Sequence, residues 1–131
     1  VATGLRPLQT ALFTRLNAVP ALAGRVYDSR PPEAAPFPYV TLGSILELPD
    51  DTHDAQGLES LATLHIWSKG PGNGALYDLF AAVDSALDRV ALSVAGFSEV
   101  RIKHDQHQTI EDPDPAIRHI NAQYRINMTK E

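Results

Sequence analysis

Two amphipathic helical stripes and four segments of sheet character, in the order αββαββ, predict an α+β fold. It is a mainly antiparallel four-stranded sheet with the helices packed on one face. The stripes repeat at three- and four-residue steps, whereas the sheet segments are rich in β-formers and alternate apolar with polar residues. Clusters of proline, glycine and aspartate separate them. No internal repeat, low-complexity tract or linker interrupts the chain, so a single domain spanning 1–131 is expected.

The first helix is placed at Leu5 to Asn17, where Leu5, Leu8, Leu12 and Leu16 share a face and Pro7 falls in the tolerant first turn. Pro20 and Gly24 end it. The stretch Arg30 to Pro38 holds four prolines, which fix φ and cannot donate to a ladder, and reads as an ordered, extended connector. The first strand follows at Tyr39 to Glu47, with Val40, Leu42 and Leu46 on one face and Tyr39, Thr41 and Ile45 on the other. A long acidic loop with Asp50, Asp51, His53, Asp54 and Gly57 joins it to a second strand at Glu59 to Lys69, making a hairpin.

The breaker cluster Gly70-Pro71-Gly72-Asn73-Gly74 precedes a second helix at Ala75 to Val90. Its core stripe is Leu76, Leu79, Phe80, Val83, Leu87 and Val90, and its polar face carries Asp78, Asp84, Asp88 and Arg89. A third strand from Phe97 to about His107 turns Val100 and Ile102 inward. The last segment alternates most cleanly, with Ile120, Ala122, Tyr124, Ile126 and Met128 on the core face and His119, Asn121, Gln123, Arg125 and Asn127 on the wet or partner-facing one. Glu111-Asp112-Pro113-Asp114-Pro115 forms a rigid acidic turn between these strands, giving a second hairpin.

Composition narrows the function. Hydrophobic residues at 44% and charged residues at 21% fit a folded domain. The absence of cysteine excludes a disulfide scaffold, a zinc ribbon, a thiol nucleophile and an iron–sulfur site together. A net charge of −5 has the wrong sign for gripping phosphates, which argues against direct nucleic-acid binding. Neither a membrane span nor, in Val1 to Pro7, the layout of an export signal is visible.

No catalytic, cofactor or metal residues are assigned. His104 and His107 lie near Asp105, Glu111, Asp112, Asp114 and His119, but residues three apart on a strand point to opposite faces, so the two histidines cannot share a site unless a bulge intervenes. His65 and Trp67 share a face, yet no nucleophile elbow accompanies that histidine, and a packed or partner-facing imidazole is expected. The glycine-rich turn before the second helix lacks the Lys-Ser/Thr of a phosphate loop. Asp50-Asp51 does not follow the calcium-loop pattern. The acidic residues Asp50, Asp51, Asp54, Glu111, Asp112 and Asp114 are instead read as partner-binding.

A leucine-patterned helix leads to Arg25-Val26-Tyr27, Pro31-Pro32, Phe37-Pro38-Tyr39-Val40, the strand Leu64-His65-Ile66-Trp67-Ser68, a helix from Ala75 to Leu87, and Asp112-Pro113-Asp114 before Arg118-His119. In this order, and over nearly the whole chain, they resemble the tail-completion or tail-terminator proteins of long-tailed phages, prophages and gene-transfer particles. The resemblance implies a homo-oligomeric ring, usually of six subunits, that caps the head-proximal end of the tail tube, stops tube growth and joins the tail to the head connector. Its partners would be the tail tube protein and a connector or neck protein, with DNA passing through the lumen without specific binding. It implies no cofactor, no membrane and no active-site residues. The expected location is the neck region of a virion or phage-like particle, assembled in the bacterial cytoplasm. Another neck, head–tail joining or tube-associated protein is the main alternative, and a small metal-dependent enzyme the remaining one.

Overall fold

The computed structural model describes residues 3–131. Val1 and Ala2, part of the stretch read for an export signal, lie outside the described residues. The order is α1 (Leu5–Asn17), a 3-10 turn (Pro20–Leu22), β1 (Val26–Asp28), β2 (Tyr39–Pro49), β3 (Gly57–Lys69), α2 (Gly74–Leu87), β4 (Phe97–Glu111) and β5 (Ile117–Lys130). The α+β class and two helices are as the periodicity predicts, but the sheet has five strands in the order β1-β2-β3-β5-β4, not four. The added strand, β1, pairs parallel with β2, so the sheet is mixed. Three residues are too few for an alternation to register, and β1 is a strand only because β2 offers it a partner.

α1 has the predicted bounds, and Leu8, Leu12 and Leu16 are buried, while Leu5 in the first turn stays exposed. α2 stops at Leu87, before the predicted Val90, because Asp88 turns to extended backbone and Arg89 takes a positive φ of 57°. Arg15 ties the helices together by donating from Nε to the carbonyl of Ala86 at 2.7 Å, where the final carbonyls of α2 lack helical partners.

Both hairpins extend beyond their predicted ends. β3 pairs with β5 without a register break from Gly57↔Thr129 to Lys69↔Ile117. On one face these strands send Leu58, Ala62, Leu64, Ile66, Ile120, Ala122, Tyr124, Ile126 and Met128 into a core shared with Leu76, Val83 and Leu87 of α2 and the leucines of α1. Three other places carry register shifts: Leu42/Ile45, Ser98/Arg101 and His104/Gln106. The first inverts the predicted alternation of β2. Val40 and Leu42 are buried, but beyond the bulge Ile45 packs against the core and Leu46 is 55% exposed.

The polar face assigned to α2 is also partly inward. Tyr124, fully buried, donates its hydroxyl to Asp84 at 2.7 Å, and Asp88 accepts the backbone N–H of His104 at 2.7 Å. Burial and then the Asp84 carboxylate push the Tyr124 phenol well above its ordinary value, so it remains a donor.

Two stability predictions follow this packing. Leu76→Ala, at a fully buried site, should cost about 2–5 kcal/mol, while Phe80→Ala, at the half-buried rim of the core, should cost less than Leu76→Ala in the same denaturant titration. Tyr124→Phe should cost about 1.5–3 kcal/mol by removing a hydrogen bond to a charged acceptor. A Tyr124→Phe protein with an unshifted midpoint would show that the Tyr124–Asp84 bond does not hold α2 to the sheet.

Candidate functional site

Both helices cover one face of the sheet, and the other face carries an aromatic and histidine cluster. Strand alternation places Tyr27 of β1, Tyr39 and Thr41 of β2, His65 and Trp67 of β3 and His119 of β5 there. The rings run in sequence across the strands. Tyr27 meets Tyr39 edge-on at 5.8 Å, Tyr39 lies 6.2 Å from Trp67, and Trp67 stacks on His119 with centroids 3.7 Å apart. Phe37, from the proline-rich connector, packs on Tyr39 at 5.0 Å and receives the ammonium of Lys69 over its ring at 5.8 Å.

His65 Nδ1 and His119 Nε2 are 2.9 Å apart, so one ring nitrogen donates to the other. Burial lowers the His65 imidazole, and burial together with His65 lowers His119 to about 4. Both rings are therefore neutral near pH 7. Among the described residues neither has a carboxylate or nucleophile within hydrogen-bond reach, so the pair packs the cluster, as expected for His65. The sequence placed His119 on the wet face without its partner, because a stack formed across strands has no local signature.

The second histidine pair meets the exception that a bulge allows. The bulge at Asp105 rotates β4 so that both His104 and His107 lie on the helix side, with His104 Nε2 and His107 Nδ1 2.8 Å apart beside Phe80. Simple alternation had separated them. Even so, among the described residues no three His, Asp or Glu side chains converge as metal ligands.

The six acidic residues read as partner-binding form two groups at opposite ends of the sheet. Asp50, Asp51 and Asp54 occupy the β2–β3 loop, while Glu111 ends β4 and Asp112 and Asp114 occupy the β4–β5 turn. The length of β3 separates the ends by about 40 Å, so no single contact engages both. Several of these carboxylates also shape their own loops. Asp51 accepts the N–H of Gly57 at 3.1 Å, Asp50 accepts from Asn127 at 3.2 Å, and Asp112 and Asp114 each accept a backbone N–H two residues on at 2.9 Å. Gly57 is required where it stands, since a Cβ there would lie 2.5 Å from the Asp50 carbonyl.

A groove of about 590 Å³ runs between α1 and residues 91–95, with Arg6 and Arg15 on its α1 side. It went unread in the sequence, because residues 91–95 carry no periodicity and meet α1 only through the fold. Among the described residues no helix is long and apolar enough to cross a membrane.

The comparisons with known proteins agree with this architecture. The family model described as tail completion protein gp17 matches residues 10–129. A chain in the virion of a native gene transfer agent particle is 22% identical, with a TM-score of 0.86 over 98% of this chain and 99% of that one. The bacteriophage SPP1 gp17 protein is 19% identical, with a TM-score of 0.54 over 100% of this chain and 97% of that one. At these identities the two structures establish a shared fold. No curated protein matches the chain.

The lowered His119 carries a pH prediction. Its folded value of about 4 lies below the ordinary 6.5, so between these values the unfolded chain binds a proton that the folded chain does not. Stability from this site is therefore complete above about pH 6.5 and falls as the pH drops toward 4, by at most about 3 kcal/mol. His119→Gln should show a shallower loss over that interval than the native chain. Parallel curves of melting temperature against pH would refute the assignment.

Proposed function

Because the chain belongs to the tail completion protein gp17 family, we propose that it is a tail terminator: a ring of identical subunits, six in number, that closes the head-proximal end of a phage-type tail tube. The family match over residues 10–129 carries this reading. The fold supports it with a rigid sheet and loops at both ends, the arrangement by which one subunit reaches neighbours on two sides. A head-to-tail interface that closes on itself gives such a ring. The ring stops tube polymerisation and presents its other surface to the head connector.

The two acidic groups fit this role from their positions. With Asp50, Asp51 and Asp54 at one end and Glu111, Asp112 and Asp114 at the other, one group serves contacts toward one neighbour and the second contacts elsewhere in the assembly. Six copies at −5 each carry about −30, a field that keeps passing DNA from adhering. The reading assigns no catalytic step to any residue.

Deleting the gene from its parent particle and imaging the products tests the assignment. A terminator predicts unattached tails of uncontrolled length beside separate filled heads. Tails of normal length that fail to join heads would favour a neck protein instead, and normal joined particles would refute both.

A further inference from the structure

We propose that the groove between α1 and residues 91–95 is the socket for the acidic β2–β3 loop of a second copy of this chain. The contact rests on the ring reading above and would join neighbouring subunits head to tail. The groove is concave and mostly apolar, lined by small side chains such as Ala18 and Ala95 together with Leu92. Arg6 and Arg15 are its charged lining residues, and no acidic residue lines it. Arg6 makes no hydrogen bond or ion pair among the described residues, and Arg15 uses only Nε, leaving its terminal nitrogens free. Three other arginines are committed within the chain, Arg25 to Phe37, Arg118 to Gly70 and Pro71, and Arg125 to Glu59 and Asp105, whereas the side chains of Arg30 and Arg101, like that of Arg6, make no such bond among the described residues.

The proposed occupant likewise has no cation of its own, although Asp50 accepts from Asn127 and Asp51 from the Gly57 N–H. Asp50, Asp51 and Asp54 take part in no ion pair among the described residues, and the only polar contact of the Asp54 carboxylate is Thr52 at 3.5 Å. The loop is held in place by the bonds Asp50 N–H to Gly57, Gly57 N–H to Asp51 and Lys130 N–H to Gln56. Held this way, Asp50, Asp51 and Asp54 make no hydrogen bond or ion pair with their own α1 among the described residues, so their carboxylates are left for the arginines of another copy. A chain of net charge −5 repels its copies at long range, and a cationic concavity facing an acidic tip supplies the local attraction that a heterologous interface needs.

Charge reversal in two complementary proteins tests the contact. One carries Arg6→Glu and Arg15→Glu, the other Asp50→Lys and Asp54→Lys; Asp51 is kept because it holds Gly57. Native mass measurement at 0.1 M salt should find the wild type as a ring, each variant alone as a monomer, and a 1:1 mixture as a ring again. In the mixture every contact pairs opposite charges, whether Asp tip in Arg groove or Lys tip in Glu groove. Variants that assemble alone as the wild type does would overturn the contact and leave the ring reading standing. A failure of the mixture to assemble, with both variants melting as the wild type does, would also overturn the contact alone. A wild type that stays monomeric at every concentration removes the ring reading, and the contact with it. Should charge reversal unfold either protein, Arg6→Ala and Asp54→Ala each should raise the concentration for half-assembly about tenfold, and an unchanged value would overturn the contact.

Discussion

The unbroken antiparallel pairing of β3 with β5 is the constraint on which the rest of the molecule depends. These strands are central in the order β1-β2-β3-β5-β4, and their ladder runs the full length of β3. Because a one-residue slip would turn every side chain to the opposite face, the apolar alternation of both strands locks a single register. That register decides two things at once. It gathers Leu64, Ile66, Ile120 and Ile126 beneath the helices, and it stacks Trp67 on His119 on the far side. The core and the aromatic cluster are two consequences of one pairing.

Around this rigid centre the outer strands depart from regularity at bulges. On β2 the bulge after Leu42 turns Leu46 outward and brings Ile45 toward α1 and the core. On β4 the bulge at Asp105 puts both His104 and His107 on the helix side, after the end of α2 has occupied the strand edge. There Arg89 donates its N–H to the Ile102 carbonyl, and Asp88 accepts that of His104. An exposed edge invites unwanted pairing, and the α2 terminus covers this stretch of it. Beyond the bulge, Gln106 to Thr109 are exposed.

Charge is distributed in the same segregated way. Five of the sixteen acidic residues stand in the loops at the two ends of the sheet, while several arginines are engaged by the fold, where Arg118 and Arg25 hold backbone carbonyls and Arg15 caps α2. Carboxylates in turns accept backbone N–H groups that would otherwise go unpaired, so they shape the loops as well as charge them. The neutral His65–His119 pair adds a buried polar bond to the open face without adding charge there.

The sequence by itself determined the fold class, both helices, the four long strands and the acidic character of the two hairpin connections. Each of these rests on periodicity or turn chemistry within a short window, as in Leu76 to Leu87 or Ile120 to Met128. The resemblance carried by Arg25 to Tyr27, Pro31 to Val40 and the His65-Ile66-Trp67 strand was also legible, since the family match covers residues 10–129. What the tertiary structure alone decided involves partners distant in the chain. β1 is a strand only beside β2, Asp84 is inward only because Tyr124 reaches it from 40 residues away, and His104 meets His107 only because a bulge breaks the alternation. The Arg6–Arg15 groove and the Trp67–His119 stack belong to the same class. Local spacing specifies which face of an element is apolar, but which elements meet, and where a strand breaks step, is set by packing the whole chain around one core.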